Sequence, residues 1–452
     1  MARIEFPRGL EGVENLPRTK RFLQNCFNNG NGSLISRPGI LGLNTTSKVA
    51  RGSFVWNKAL YQVVSTDLIK ITDTTTGAFS IIDTIEGSAV IETSIGFKFA
   101  VIVVKGGKAY TLDKTDTVVE ITDPQFKSSV DVANINGRTV YIPADGTPAF
   151  FSDVGEPGTI DDLSFFDAEE LPDENNGVFN FKNTLYITGT DSIELFRDTG
   201  ATPNPFLRIN GSRILNGFIG GLLEYNNTFL FIGREKDQDL GIYSIGAGIA
   251  PKISNETIDL LLSTYTQGEL AEAIPGRIKW RGYDIATFTL RRDSFAFFGG
   301  NWFKLDTVFE EISRPWGAGF ITQFEGEYFT AFDDKIGKFT KINTDYGNRI
   351  TRIVDTALSQ TETDFFSCQS IELGISQGFD SAAGSVALFM SNNNVTYGPA
   401  VFRDLGNLGE YDQKLIWNYA GGLGTYRGFM GIRFFTTENV DFTDDYIVAK
   451  IR

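Results

Sequence analysis

The 452-residue chain contains no histidine. That absence excludes Ser-His-Asp and Cys-His nucleophile activation, His-ligated zinc and imidazole acid–base chemistry. Cysteine is nearly as scarce: Cys26 and Cys368 are the only two. Two are too few for a four-cysteine metal site or a disulfide framework, and they read as free structural thiols. No run approaches the roughly 18 apolar residues of a membrane-spanning helix. The opening Met1-Ala2-Arg3-Ile4-Glu5-Phe6-Pro7-Arg8 has no apolar stretch of the secretory kind. The expectation is a chain made in a cytoplasm, without a membrane anchor. Positive charge is in deficit, with 41 Lys and Arg against 56 Asp and Glu and a net charge of −15. Such a protein does not hold nucleic acid through its general field, although it can surround DNA without gripping it.

Glycine and aromatics are abundant instead: 48 Gly, 39 Phe, 15 Tyr and 5 Trp, with only 14 Pro. This mixture suits an all-β fold of many short strands joined by tight turns. Paired apolar runs recur with a turn between them. Phe54-Val55-Trp56 turns at Asn57-Lys58 into Leu60 to Val64, and Val132 to Ile135 turns at Asn136-Gly137 into Val140 to Ile142. Comparable turns fall near Gly96, at Lys182-Asn183 and Asn226-Asn227, near Asp284, and at Glu325-Gly326. The steps between successive turns are 39, 40, 47, 43, 58 and 42 residues. Four strands in about 40–45 residues is the repeat of a propeller blade. The spacing predicts a β-propeller of six or seven blades over 51–350, preceded by an N-terminal arm and incoming strand over 1–50. A plain array of β-sandwiches is the alternative.

The 58-residue step contains a small helical insertion at about 251–275. Ser254 is a candidate N-cap for a helix from Asn255 to about Thr264. A second short helix runs from Gln267 to Ala273, stopped by Pro275-Gly276. Past residue 345 the repeat ends. Alternation at Ile371, Leu373 and Ile375 and at Val386, Leu388 and Met390 predicts a C-terminal antiparallel β-sandwich over 351–452. Its Ser391-Asn392-Asn393-Asn394 stretch reads as an Asx-stabilised hairpin.

Charge is unevenly distributed. Residues 1–52 hold eight Lys or Arg, including Arg37, Lys48 and Arg51, against three Glu. They are either a docking surface for an acidic neighbour or a solvated arm. Residues 151–177 hold nine carboxylates and no Lys or Arg. This stretch is a solvated loop, a calcium loop or a docking surface for a basic partner.

Several phrases, in order along the chain, resemble one family. Phe165-Phe166-Asp167-Ala168-Glu169-Glu170-Leu171-Pro172-Asp173 is similar to its Phe-x-x-Ala-Glu-x-x-Pro-Asp phrase. Ser192-Ile193-Glu194, Asp198-Thr199-Gly200 and Pro205-Phe206-Leu207-Arg208 resemble its next blade, and Ile253-Ser254 its helix opening. Gly337-Lys338-Phe339 and Thr344-Asp345-Tyr346-Gly347 resemble its last blade, and Arg37-Pro38-Gly39-Ile40 its N-terminal strand. Leu405-Gly406, Gly409-Glu410-Tyr411 and Trp417 resemble its C-terminal sandwich. The family is the packaged-DNA stabilization or tail hub (nozzle) proteins of short-tailed phages, the podoviruses. Where that family often has Gly-His after its inserted helix, this chain has Gly282-Tyr283.

The resemblance implies a non-enzymatic virion protein of the phage tail, a homohexameric ring below the portal and its adaptor. It implies that the ring continues the DNA channel, retains packaged DNA and anchors a tail needle or plug and spikes or fibres. Double-stranded DNA would pass through the lumen without specific binding, which an acidic, stiff, all-β wall suits. No catalytic, cofactor-binding or metal-binding residue is singled out, and no cofactor is expected. The rival readings are a propeller glycosidase and a carbohydrate-binding receptor protein. The glycosidase would need two carboxylates some 5–9.5 Å apart at the ring's centre, with Asp153, Asp191, Glu194, Asp333 and Asp334 among the many available.

Overall fold

The computed structural model describes residues 1–10, 22–166, 173–235, 240–246, 248–309, 312–359, 365–376, 384–407, 409–410, 415–418, 423–444 and 446–452. Seven antiparallel groups of strands follow one another along the chain, five as separate sheets and the last two as parts of larger ones. We number these blades 1 to 7. Blade 1 spans Ala50–Trp56 to Ala78–Thr84, blade 2 Ile91–Ile95 to Val118–Glu120, blade 3 Ser129–Ile135 to Phe165–Phe166, and blade 4 Asn175–Phe181 to Phe206–Arg208. Blade 5 has three strands, Asn216–Tyr225, Thr228–Glu235 and Leu240–Ile245. Blade 6 runs from Ile274–Trp280 to Asn301–Phe309. Blade 7 combines Phe320–Phe324, Glu327–Phe332 and Lys335–Thr340 with the N-terminal strand Gly39–Thr45. The first strand of each blade touches the first strand of the next, and that of blade 7 returns to that of blade 1.

The turns between first and second strands follow the sequence closely. Asn57-Lys58, Asn136-Gly137, Lys182-Asn183, Asn226-Asn227 and Glu325-Gly326 each close a two-residue hairpin with both residues at positive φ. Type I′ turns require that geometry, and Asn and Gly adopt it at least cost. In blade 6 the turn is Arg281-Gly282, since Trp280 pairs with Tyr283. The turn expected near Asp284 therefore lies two residues earlier, and Asp284 instead holds Arg277 across the hairpin at 2.6 and 2.9 Å.

Apolar side chains alternate between the two faces of each blade and fill the seams. Ile102, Val104 and Leu112 of blade 2 pack with Phe54, Tyr61 and Val63 of blade 1. Val101 and Val103 pack on the other side with Val132, Tyr141 and Phe150 of blade 3. The helical insertion packs against blade 5. Its helices are α1 (Glu256–Ser263) and α2 (Gln267–Ala271). Asn255 caps α1 by accepting from Ile258 N at 3.0 Å, not Ser254 as expected. Ser254 Oγ instead accepts from Ile242 N at 2.9 Å and pairs with Asp259. Pro275 and Gly276 do not stop α2; they already lie in the first strand of blade 6.

The sandwich has two sheets. One orders Ala2–Glu5, Tyr446–Ile451, Phe365–Leu373 and Leu415–Asn418, with Gly424–Arg427 also on Phe365–Leu373. The other orders Phe22–Gln24, Arg352–Ser359, Phe429–Thr436, Ser385–Ser391 and Val401–Asp404. Trp417, Met430, Ile432 and Phe434 are fully buried in its core. Asn393 Oδ1 accepts from Val395 N and Thr396 N, each at 2.9 Å, which is the Asx turn read from sequence.

The first fifty residues are not a separate arm where they are described. Ala2–Glu5 is a strand of the sandwich, Phe22–Gln24 pairs with Arg352–Ser359 and, in parallel, with blade 6, and Gly39–Thr45 belongs to blade 7. The sequence pattern misses this because short strands separated by loops carry no period of their own.

Candidate functional site: the axial cavity of the propeller

The first strands of the blades converge on a cavity of about 280 Å³. Local irregularity aims polar groups into it. Register shifts fall between Ser129 and Asp131, between Asn175 and Gly177, and between Phe218 and Gly220. A bulge turns the following side chain off its alternation, and Asp131, Asn176 and Phe218 line the cavity.

Most of these polar groups join one blade to the next. Asp131 Oδ2 accepts from Val178 N of blade 4 at 2.8 Å, and its Oδ1 from Val132 N at 2.7 Å. Asn176 donates to Phe218 O of blade 5 at 2.8 Å. Thr322 of blade 7 donates to Ser53 of blade 1 at 2.9 Å. Arg51, buried beside the cavity, donates to Ala89 O and to Ile85 O, which fastens blade 1 to the segment leading into blade 2.

Glu92 is different. It lies on the first strand of blade 2, half-buried, facing Asp131 and Lys105. Burial, then the Asp131 charge, pushes its carboxyl well above the ordinary carboxylate range, and Lys105 only partly offsets this. Asp131 is raised by burial and held back by its two backbone N–H donors and Lys105. Lys105 Nζ also donates to Ala271 O of α2 at 3.3 Å, so the insertion caps this end of the ring. The pair was not singled out from sequence, where two carboxylates in the first strands of adjacent blades look like ordinary solvent-facing residues. The bulge at Asp131, invisible without coordinates, makes the difference.

The cavity does not make a glycosidase site. Its Asp131 is spent on backbone donors. The carboxylates weighed from sequence are scattered. Asp153 is exposed beyond the third strand of blade 3, Asp191 pairs with Arg234 at 3.3 Å, and Glu194 is buried with Arg208 at 3.5 Å. Asp333 and Asp334 sit at a turn of blade 7, Asp334 with Lys335 at 2.8 Å.

The two charged stretches resolve in part. Arg37 and Arg51 are buried and internally bonded, and Lys48 pairs with Asp67 at 2.6 Å. They are not a free basic surface; Arg18, Lys20 and Arg21 lie outside the described residues. In the acidic stretch, Asp173 accepts from Asp191 N and Ser192 N, at 3.1 and 2.8 Å. Among the described residues no three acidic side chains converge as metal ligands. Asp167, Glu169 and Glu170 fall outside them.

Two family models match the chain in tandem: the β-propeller of bacteriophage P22 Gp10 over residues 11–342 and its β-sandwich over 351–448. The chain belongs to the phage P22 Gp10 family. It is similar to the "Tail hub protein gp10" of Salmonella phage P22, with 23% identity over 430 residues, 89% of this chain and 88% of that protein. Membership makes it a structural protein of a podovirus tail rather than an enzyme, resident in the virion among other tail components. Among solved structures it is similar to the N-terminal domain of Nup159, at TM-score 0.42 and 10% identity, covering 70% of this chain and 98% of that one. It is also similar to BamB from Moraxella catarrhalis, at TM-score 0.40 and 11% identity, covering 75% and 96%.

Proposed function

We propose that the chain forms a homohexameric hub below the portal and its adaptor ring, continuing the DNA channel. In this reading the ring retains the packaged genome until ejection and anchors the tail needle or plug and the spikes or fibres. The observation that carries it is the match of both domains, in order and nearly end to end, to the P22 tail hub protein. Two physical features support it. The net charge of −15 repels DNA phosphates and lets a genome slide. The sheet that runs from blade 6 through Phe22–Gln24 into the sandwich gives a stiff body without a free hinge at that point.

A hub that polymerised freely would form dead-end tubes. The purified chain is therefore expected as a monomer or weak oligomer, and as a six-fold ring on the portal–adaptor complex. Light scattering on the free chain and electron microscopy of the mixture test this. Deleting the gene is expected to give capsids that package DNA and then lose it. Capsids that keep their genomes and infect normally would overturn the proposal.

A further inference from the structure

The seam between blades 2 and 3 carries an apolar surface that no described part of the fold covers. Phe97, in the turn between the first two strands of blade 2, is 86% exposed. Val154 and Leu163, each 60% exposed, and Phe165, 52% exposed, belong to the segment that follows Ala149–Phe151 in blade 3. That segment is held in place. Tyr141 Oη donates to Pro157 O at 2.7 Å, Ile160 N to Asp123 Oδ2 at 3.2 Å, and Phe151 N to Ser164 O at 3.0 Å. Lys98 and Glu156 pair at 2.7 Å, which ties the Phe97 turn to it.

Strand register places the rest of the surface. Exposed Val119 lies opposite Thr111, which lies opposite Val101, so it shares the face of blade 2 that meets blade 3. Phe165 lies opposite Phe150, on the face of blade 3 that meets blade 2. Val119 and Phe165 therefore flank this seam from its two sides. Exposed apolar groups that lie together mark an interaction surface.

Charge selects the occupant. Exposed Asp153, Asp161 and Asp162 form no ion pair among the described residues, and residues 151–177 contain no Lys or Arg. Lys114 Nζ stands 4.6 Å over the Phe97 ring, so that ring face already receives a cation. Nucleic acid would be repelled. A second copy of a chain with a net charge of −15 would bring charge of the same sign to these carboxylates.

We propose that this seam docks a cationic segment of another tail protein. The partner sets aliphatic or aromatic side chains among Phe97, Val154, Leu163 and Phe165, and its Lys or Arg against Asp153, Asp161 and Asp162. The proposal rests on the chain being a tail component. The test places the photo-cross-linker benzoylphenylalanine at Phe97 or at Leu163 of the full chain and illuminates assembled particles. Both positions are exposed, so the fold and the incorporation of the chain are expected to be unchanged, checked by thermal midpoint and by the amount of chain per particle. The expected result is that both positions capture one peptide of a different virion protein in which Lys and Arg outnumber Asp and Glu. Asp161→Lys with Asp162→Lys should lower that yield at least ten-fold. Cross-links to a second copy or to DNA, or none from particles that contain the chain, would overturn the docking proposal alone. Absence of the unsubstituted chain from particles would overturn the reading as a tail component.

Discussion

Arg37 and Asp345, 308 residues apart, meet in a buried fork, Nη1 to Oδ1 at 3.0 Å and Nη2 to Oδ2 at 2.6 Å. Asp345 also accepts from Thr307 Oγ1 and Ile40 N, and Arg37 also donates to Asn25 Oδ1 and Asp306 O. The fork joins the N-terminal segment, blade 6 and the chain leaving blade 7. It latches the ring at the point where its two ends are brought together.

Removing one partner leaves a buried charge uncompensated. Asp345→Asn should cost about 3–5 kcal/mol, read as a lower urea midpoint. Arg37→Met with Asp345→Leu should cost less than Asp345→Asn alone, because no orphaned charge remains. A smaller loss in the single variant than in the double would refute the latch.

Stability should also depend on Glu92. A carboxyl whose folded pKa is raised binds more protons in the folded than in the unfolded chain. Its contribution is therefore fully present below the ordinary value of about 4.5 and lost as pH climbs from there through the raised one. The slope for one proton is at most about 1.4 kcal/mol per pH unit. Glu92→Gln should raise the thermal midpoint at pH 8 and flatten its decline from pH 5. An unchanged pH profile would show that Glu92 titrates normally.

Both thiols should resist modification in the native protein. Cys26 and Cys368 are buried, and burial pushes their pKa up to about 12 and about 11. A thiol reagent at pH 8 should find neither, and both after denaturation. Rapid labelling of one thiol in the folded chain would contradict its placement.

Close approach of blades 4 and 5 depends on Gly217. A Cβ there would lie 1.9 Å from Thr190 O, a backbone atom that cannot rotate away. Gly217→Ala should cost about 1–3 kcal/mol through forced backbone movement. Gly282→Ala offers a comparison: it meets nothing within 4 Å and carries only the strain of its positive φ.

The repeat was legible because it is local. Two-residue hairpins need positive φ, Asn and Gly supply it, and strand alternation follows from the pleat. Asn136-Gly137 and Glu325-Gly326 therefore announced their blades, and Ile371 with Leu373 announced the strand Phe365–Leu373 of the sandwich, which ends before the Ile375 of the same alternation. The absence of histidine and the charge of −15 needed no coordinates at all. Tertiary structure alone decided what joins distant segments. Ala2–Glu5 entering the sandwich, Gly39–Thr45 completing blade 7 and Arg37 meeting Asp345 are pairings across hundreds of residues, and no local period encodes them. The same holds for Glu92 and Asp131. Each reads as an ordinary strand carboxylate until a bulge and the packing of adjacent blades set them around one cavity, where burial raises both carboxyls and the Asp131 charge raises Glu92 further.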